Sequence, residues 1–343
     1  MARVRQRGPR LFKRSNIARD APRPSPKWTK GGDAEVAIRG MAARSRRPIL
    51  IFMSFARSPV IEAQPRPMPG FLSLWNVDFD KLGGLASPVL VLDDFRVRQL
   101  PFSPHPHAGF SAVTYVLEDS EAGLRSRTSL GKDIVVNPGG IIWTQAARGI
   151  LHEESPADRD RDLHGLQIFV NLSSKNKLAP PRVLQLDGSE VPEWRSEARD
   201  RVRVVVGGFD GVVSPLAPAE RFTLLDVELR REIPFDLQDG DNAIIYVLEG
   251  KVRIRADGHD EHVGSEQAMA LHGDGGWLTF EAAHAVHFIV LSGAQIREPV
   301  VADGPFVMNN RSQIEAAARR YAAGEMGQID LTAANYIGGG GQS

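Results

Sequence analysis

The sequence predicts an all-β chain: two antiparallel sandwich- or barrel-like units in tandem, with one short helix near the C-terminal end. Two observations carry this expectation. From Ala86 onward, short runs rich in Val, Ile, Tyr, Phe and Trp are broken by Gly, Pro, Asn or Asp, with no helical period between them. The pattern also repeats weakly: "YVLED" begins at Tyr115 and "YVLEG" at Tyr246, each closing a strand and entering a turn.

Taken in order, strands are expected over 111–119, 133–145, 163–172, 201–211, 221–229, 243–258, 277–282 and 286–293. The polar stretch 187–200, "DGSEVPEWRSEARD", is the expected boundary. It divides an N-terminal unit over 53–190 from a C-terminal unit over 200–330. A helix is expected over 311–324, where positions 314, 317, 318 and 321 are apolar at helical spacing and Gly324 is a stop signal. The "GGGGQS" end reads as a flexible tail.

The 343 residues are 42% hydrophobic, enough for one large core or two ordinary ones. Charge is balanced overall but unevenly placed. Residues 1–47 hold 14 Lys/Arg against 3 Asp/Glu, and the rest hold 28 against 39. The mildly acidic body has no footprint for specific nucleic-acid binding. No apolar run reaches the roughly 18 residues of a membrane span. The lack of cysteine excludes disulfides and thiolate metal sites, and fits a reducing, cytoplasmic setting. Residues 1–52 read as a disordered basic extension. Within it, "RSRRPILIFMSFA" has the basic-then-apolar order of a signal peptide. It starts too far from the N-terminus, its apolar part is short, and Arg57 follows at once. A basic tail for an anionic surface is a second reading, and synthesis from Met53 a third.

The chemistry concentrates in two short stretches. In "HPHAGF", His105 and His107 are two residues apart, so a strand projects both to one face. Pro106 between them points to an edge or a strand start. In "GILHEES", His152 and Glu154 repeat that spacing, and Glu153 turns the other way, towards solvent or a surface partner. Two such pairs on neighbouring strands can converge on three imidazoles and one carboxylate, a set that suits a divalent first-row metal. The surroundings, "GFSAVTYVL" and "GIIWTQAARGIL", are apolar, and burying these groups without a metal would require several separate partners. The second unit does not repeat the pairs. The positions 131 residues further on are Asp236, Gln238, Ala283 and Ala285, while His284 and His287 are three apart. His259, His262 and His272 read as surface residues, Trp143 as core, and His164 as either. Gln167 reads either as a partner for a ligand or bound water, or as a plain strand glutamine.

Four stretches together resemble the pirin family, a bicupin group: "HPHAGFSAVTYVLED", "NPGGIIWTQAARGILHEES", "HGLQIFVNL" and "REPVVADGPFVMNN". With the spacing between them they cover roughly residues 86–330. The resemblance implies two cupin-type β-barrels and one mononuclear metal, usually iron, in the N-terminal barrel. Its ligands fall on His105, His107, His152 and Glu154. The chain departs from the family pattern at Ala147, where glycine is expected, and an alanine is strained there if the position needs a positive φ. Residues 1–52 have no counterpart. Phe306, Val307 and Met308 read as packing that supports the site.

The resemblance implies two functions. One is a quercetin 2,3-dioxygenase-type enzyme acting on a flavonol or related phenolic substrate and dioxygen, with Glu154 as ligand and general base. The other is an iron-dependent redox-sensing regulator that binds a transcription factor or metabolic enzyme.

Overall fold

The structure, a computed structural model, describes residues 55–99 and 103–330. The basic extension, the start at Met53 and the glycine-rich tail lie outside the described residues.

Three antiparallel sheets carry the fold. A seven-stranded sheet runs in the order Arg182–Leu186, Ile141–Gln145, Phe110–Val116, Leu163–Asn171, Val89–Val97, Phe71–Asn76 and Gln64–Pro65. A four-stranded sheet runs His105–His107, Ile150–Pro156, Leu124–Thr128 and Asp133–Val136. In the ten-stranded sheet the order is Glu193–Arg195, Arg201–Val206, Phe222–Leu229, Val286–Ala294, Glu232–Glu249, Gln267–Glu281, Lys251–Ala256 and His259–Gly264. Phe55–Arg57 and Ile61–Glu62, the first described strands, also pair with Gln267–Glu281. The chain is thus all-β apart from short helical turns and the terminal helix Arg311–Ala322. Hydrogen bonds do not close the sheets into rings.

The expected runs fall on strands, with three subdivided; run 201–211 is parted at Gly207, whose φ is +82°. Run 133–145 is two strands parted at Asn137–Gly140, and run 243–258 is parted at Gly250, whose φ is +86°. Phe71–Asn76 and Val89–Val97 were not anticipated. "VLVLDDFRV" carries three charges, Asp93, Asp94 and Arg96. In the fold, Asp94 meets His164 and Arg96 meets Asp119, so the strand keeps its place. The terminal helix is capped by Asn310, whose side chain accepts from the Gln313 N–H. It buries Ile314 and Ala317 but leaves Ala318 and Tyr321 exposed.

The seven-stranded sheet is covered on both faces. One face packs on the ten-stranded sheet through Val113, Tyr115, Trp143 and Ile168 against Ile244, Tyr246 and Ile289. The other packs on the four-stranded sheet through Phe95, Val116 and Ile142 against Leu124 and Val136.

Polar pairs cross the first interface in two related copies. The Tyr115 hydroxyl donates to Asp226 at 2.6 Å, and Asp226 also holds His287 at 2.6 Å. The Tyr246 hydroxyl donates to Asp94 at 3.1 Å, and Asp94 holds His164 at 2.9 Å. The repeat tyrosines therefore each reach into the opposite sheet for a carboxylate that a histidine already grips. Burial opposes charge on His287, but the Asp226 carboxylate outweighs it and raises the pKa above the ordinary 6.5. His164 is raised in the same way by Asp119 and Asp94.

A raised folded pKa means that His287 binds its proton more tightly in the folded chain. Its stabilisation is full below 6.5 and is lost as pH rises through the folded value. His287→Gln should therefore lower the melting temperature more at about pH 6 than at about pH 9. Thermal melts of both proteins across that range check this, and equal losses at the two ends would remove the charged pair as the cause.

Candidate metal centre

His105 and His107 lie on an edge strand, as the proline between them suggests, and the strand pairs antiparallel with Ile150–Pro156. The register sets His152 opposite His105. The three imidazoles form a near-equilateral cluster, with ring centroids 4.8, 4.7 and 4.7 Å apart. One ring nitrogen from each lies within 4.8 Å of the others. Glu154, two residues beyond His152, brings Oε1 to 3.7 Å from His152 Nδ1. Glu153 turns away as expected, but to a buried partner: it pairs with Arg127 on the adjacent strand.

The electrostatics favour the neutral form of His105 and His107. Burial lowers the pKa of His105, helped by His152, and lowers that of His107 far more, with both neighbouring imidazoles adding to the effect. Burial would raise Glu154, yet the His152 ring and the Thr114 hydroxyl outweigh it and hold the carboxyl below its ordinary value. His105 and His107 thus offer neutral imidazole lone pairs beside an ionised carboxylate.

The residues fit a metal. Both ring nitrogens of His152, and Nδ1 of His107, are buried without a hydrogen-bond partner among the described residues. Unpaired polar atoms at such depth are costly unless something else meets them. His105 Nδ1 faces the Ser103 carbonyl at 3.0 Å, which suits an Nδ1–H tautomer and makes Nε2 the candidate ligating nitrogen. Three imidazoles and a carboxylate, with no thiolate, suit a divalent first-row metal.

Second partners orient these groups. Thr114 Oγ1 donates to Glu154 Oε2 at 2.5 Å. Gln167 donates from Nε2 to the Val113 carbonyl and sets Oε1 3.2 Å from Thr114 Oγ1. Gln167 therefore meets Glu154 through Thr114. Thr114 itself escaped the sequence reading, although a polar residue in the apolar strand "FSAVTYV" is a signal for an inward partner. Phe110 and Phe169 pack edge-on against His107 at 5.0 and 5.5 Å. The cluster opens on a cavity of about 230 Å³, lined also by Met68, Phe71, Asp93, Phe95 and Leu124. That volume suits a small molecule and is too small for a polymer segment.

The terminal segment buttresses the site. Val307 donates to the Ala108 carbonyl at 2.9 Å, next to His107. A Cβ on Gly109, whose φ is +88°, would lie 1.7 Å from the Val307 carbonyl oxygen, so only glycine fits there. Lys177 clamps the junction, donating to Gly109 O, Asn171 Oδ1 and Val307 O. Burial pulls its ammonium down to about 8. Phe306, Val307 and Met308 are buried in this support, as expected. The remaining histidines stay out of the cluster: His259, His262 and His284 are exposed, and His272 meets the Asp241 carbonyl. Asp236 and Gln238 are exposed and bond to each other. Trp143 is core.

Two outcomes are expected here. Ala147 does adopt a positive φ, +47°, in the loop leading to His152. Ala147→Gly should relieve about 1 kcal/mol of left-handed strain, partly offset by chain entropy. Denaturant melts should show equal or higher stability, and a clear loss would show that the buried methyl matters more. Secondly, the double variant His105→Ala, His107→Ala should lose bound metal by elemental analysis, while His284→Ala keeps it. Full occupancy in the double variant would refute the assignment.

Comparison with known proteins identifies the family. The pirin family model matches residues 80–170, and the model of the pirin C-terminal cupin domain matches 224–327. Human pirin is 31% identical over 279 residues, spanning 80% of this chain and 91% of that protein. A Pseudomonas aeruginosa protein named "Putative quercetin 2,3-dioxygenase" is 33% identical over 249 residues, 69% of this chain and 86% of its own length. A crystal structure of quercetin 2,3-dioxygenase from Acinetobacter baumannii superposes with a TM-score of 0.70 at 24% identity, covering 81% of this chain and 99% of its own. With both family models matching in order and a full-length relative above 30% identity, the chain belongs to the pirin family.

Proposed function

We propose that the chain holds one mononuclear metal, iron(II), on His105, His107, His152 and Glu154, and opens the ring of flavonols such as quercetin with dioxygen. The observation that carries this is the triangle of imidazoles, two of them buried with unpartnered ring nitrogens on His107 and His152, at the end of an apolar, small-molecule cavity. The name of the Pseudomonas relative supports the substrate class. On this reading residues 53–190 form the metal-bearing unit, residues 200–330 a unit without metal, and the protein acts in the cytoplasm. Among the described residues, no helix is long and apolar enough to cross a membrane.

When bound, the metal supplies Lewis-acid and dioxygen chemistry. The chain's own residues do the rest. Phe169, Phe95 and Leu124 line the cavity and exclude water from the substrate ring. Glu154, ionised and held through Oε2 by Thr114, accepts the proton of the flavonol 3-hydroxyl at its other oxygen, Oε1. The alternative, a redox-sensing regulator that binds a partner protein, requires the metal but no such proton transfer.

The Glu154→Gln variant separates them. It keeps the size and one ligating oxygen but is a far poorer base. Metal should be partly retained while quercetin consumption per bound metal falls by about 10²–10⁴. Equal rates per metal would leave Glu154 as a ligand only. No consumption by iron-loaded wild type would make the regulator the better reading.

A further inference from the structure

The inner face of the seven-stranded sheet, largely apolar, carries one polar row. Following the register across adjacent strands, that row reads Asn76, Asp93, Gln167 and Thr114, and then Ile142. It starts at Glu154, which Thr114 holds, and ends two strands beyond Thr114 at Asp93, roughly 10 Å away by strand spacing. Asp93, Gln167 and Glu154 all line the cavity.

Asp93 is out of character with its surroundings. It is half-buried among Phe71, Leu74 and Phe95, and burial pushes its carboxyl above the ordinary value. Asn76 Nδ2 donates to Oδ1 at 2.6 Å, and the carboxylate lines the cavity. Arg66 contributes attraction only through space. A carboxylate on an apolar cavity wall is a ready acceptor for a donor on whatever occupies that cavity. The donor that fits belongs to a molecule lying along the cavity, one end at the histidines and the other at Asp93.

We propose that Asp93 accepts a hydroxyl at the substrate end remote from the histidines, and so selects polyhydroxylated aromatic compounds over counterparts lacking that hydroxyl. This rests on the flavonol reading of the same site and adds the feature of the flavonol that is recognised. A site built to bond a hydroxyl rejects the analogue without it, because the protein group is then left unpaired. A hydrogen bond to a charged group makes that preference about 10- to 100-fold.

Calorimetry under nitrogen on the metal-loaded full chain tests this without turnover. The two ligands are quercetin and 3-hydroxyflavone, which keeps the hydroxyl–carbonyl pair for the metal but has no other hydroxyl. Wild type should prefer quercetin by about 10- to 100-fold. Asp93→Leu should bring the two affinities together while metal content and 3-hydroxyflavone binding persist. Asp93→Asn, which keeps the shape, should also reduce the preference, and it serves if the leucine variant does not fold. An unchanged preference in the variants, or equal affinities in wild type, would overturn the role of Asp93 alone. Wild type that binds neither compound would overturn the flavonol reading, and this inference with it.

Discussion

The strand Phe110–Val116 must satisfy two interiors at once, because every residue in it is buried. Successive side chains point to opposite faces, so Thr114 and Tyr115 serve different environments. Thr114 faces the histidine cluster and holds Glu154; Tyr115 faces the ten-stranded sheet and holds Asp226. A one-residue slip would exchange them, stranding a hydroxyl in the wrong core on each side. The metal cluster and the joint between the sheets are therefore fixed by the same register.

That joint shows what the two halves still share and where they have parted. Tyr115 and Tyr246, which open the two matching stretches, occupy corresponding places: each donates to a carboxylate across the interface, and each carboxylate is gripped by a histidine. The polar chemistry of the joint is present in both halves. Among the described residues that of the cluster is found in the first half, and exposed Asp236 and Gln238 stand at the spacing of His105 and His107. The difference is physical as well as chemical. The His105–His107 strand is pinned by Gly109, Val307 and Lys177, which hold it against a third piece of chain.

Much of this was legible in the sequence because it rests on local periodicity. Alternating β-branched runs and their Gly or Pro breaks mark the strands, and the i, i+2 spacing of two histidine pairs sets three rings and a carboxylate on common faces. Pro106 was equally readable, since it reports on its own backbone, whereas the strain at Ala147 was flagged only through the family resemblance. Strands whose charges are answered by distant partners were not. Val89–Val97 was not among the expected strands, and its Asp94 and Arg96 meet His164 and Asp119 only in the fold.

The sequence by itself thus determined the all-β class and the likeness of the two halves. It also paired the candidate metal-binding residues, because each of these depends on neighbours a few positions away. Tertiary structure decided which pairs meet. It placed His152 opposite His105, set Thr114 against Glu154 from 40 residues away, and laid Asn76, Asp93 and Gln167 in one row. It also sent His287 to Asp226 in the joint between the sheets, away from the imidazole cluster. Those choices follow from strand order and register, which are set by how the faces bury against one another, and no local spacing encodes that.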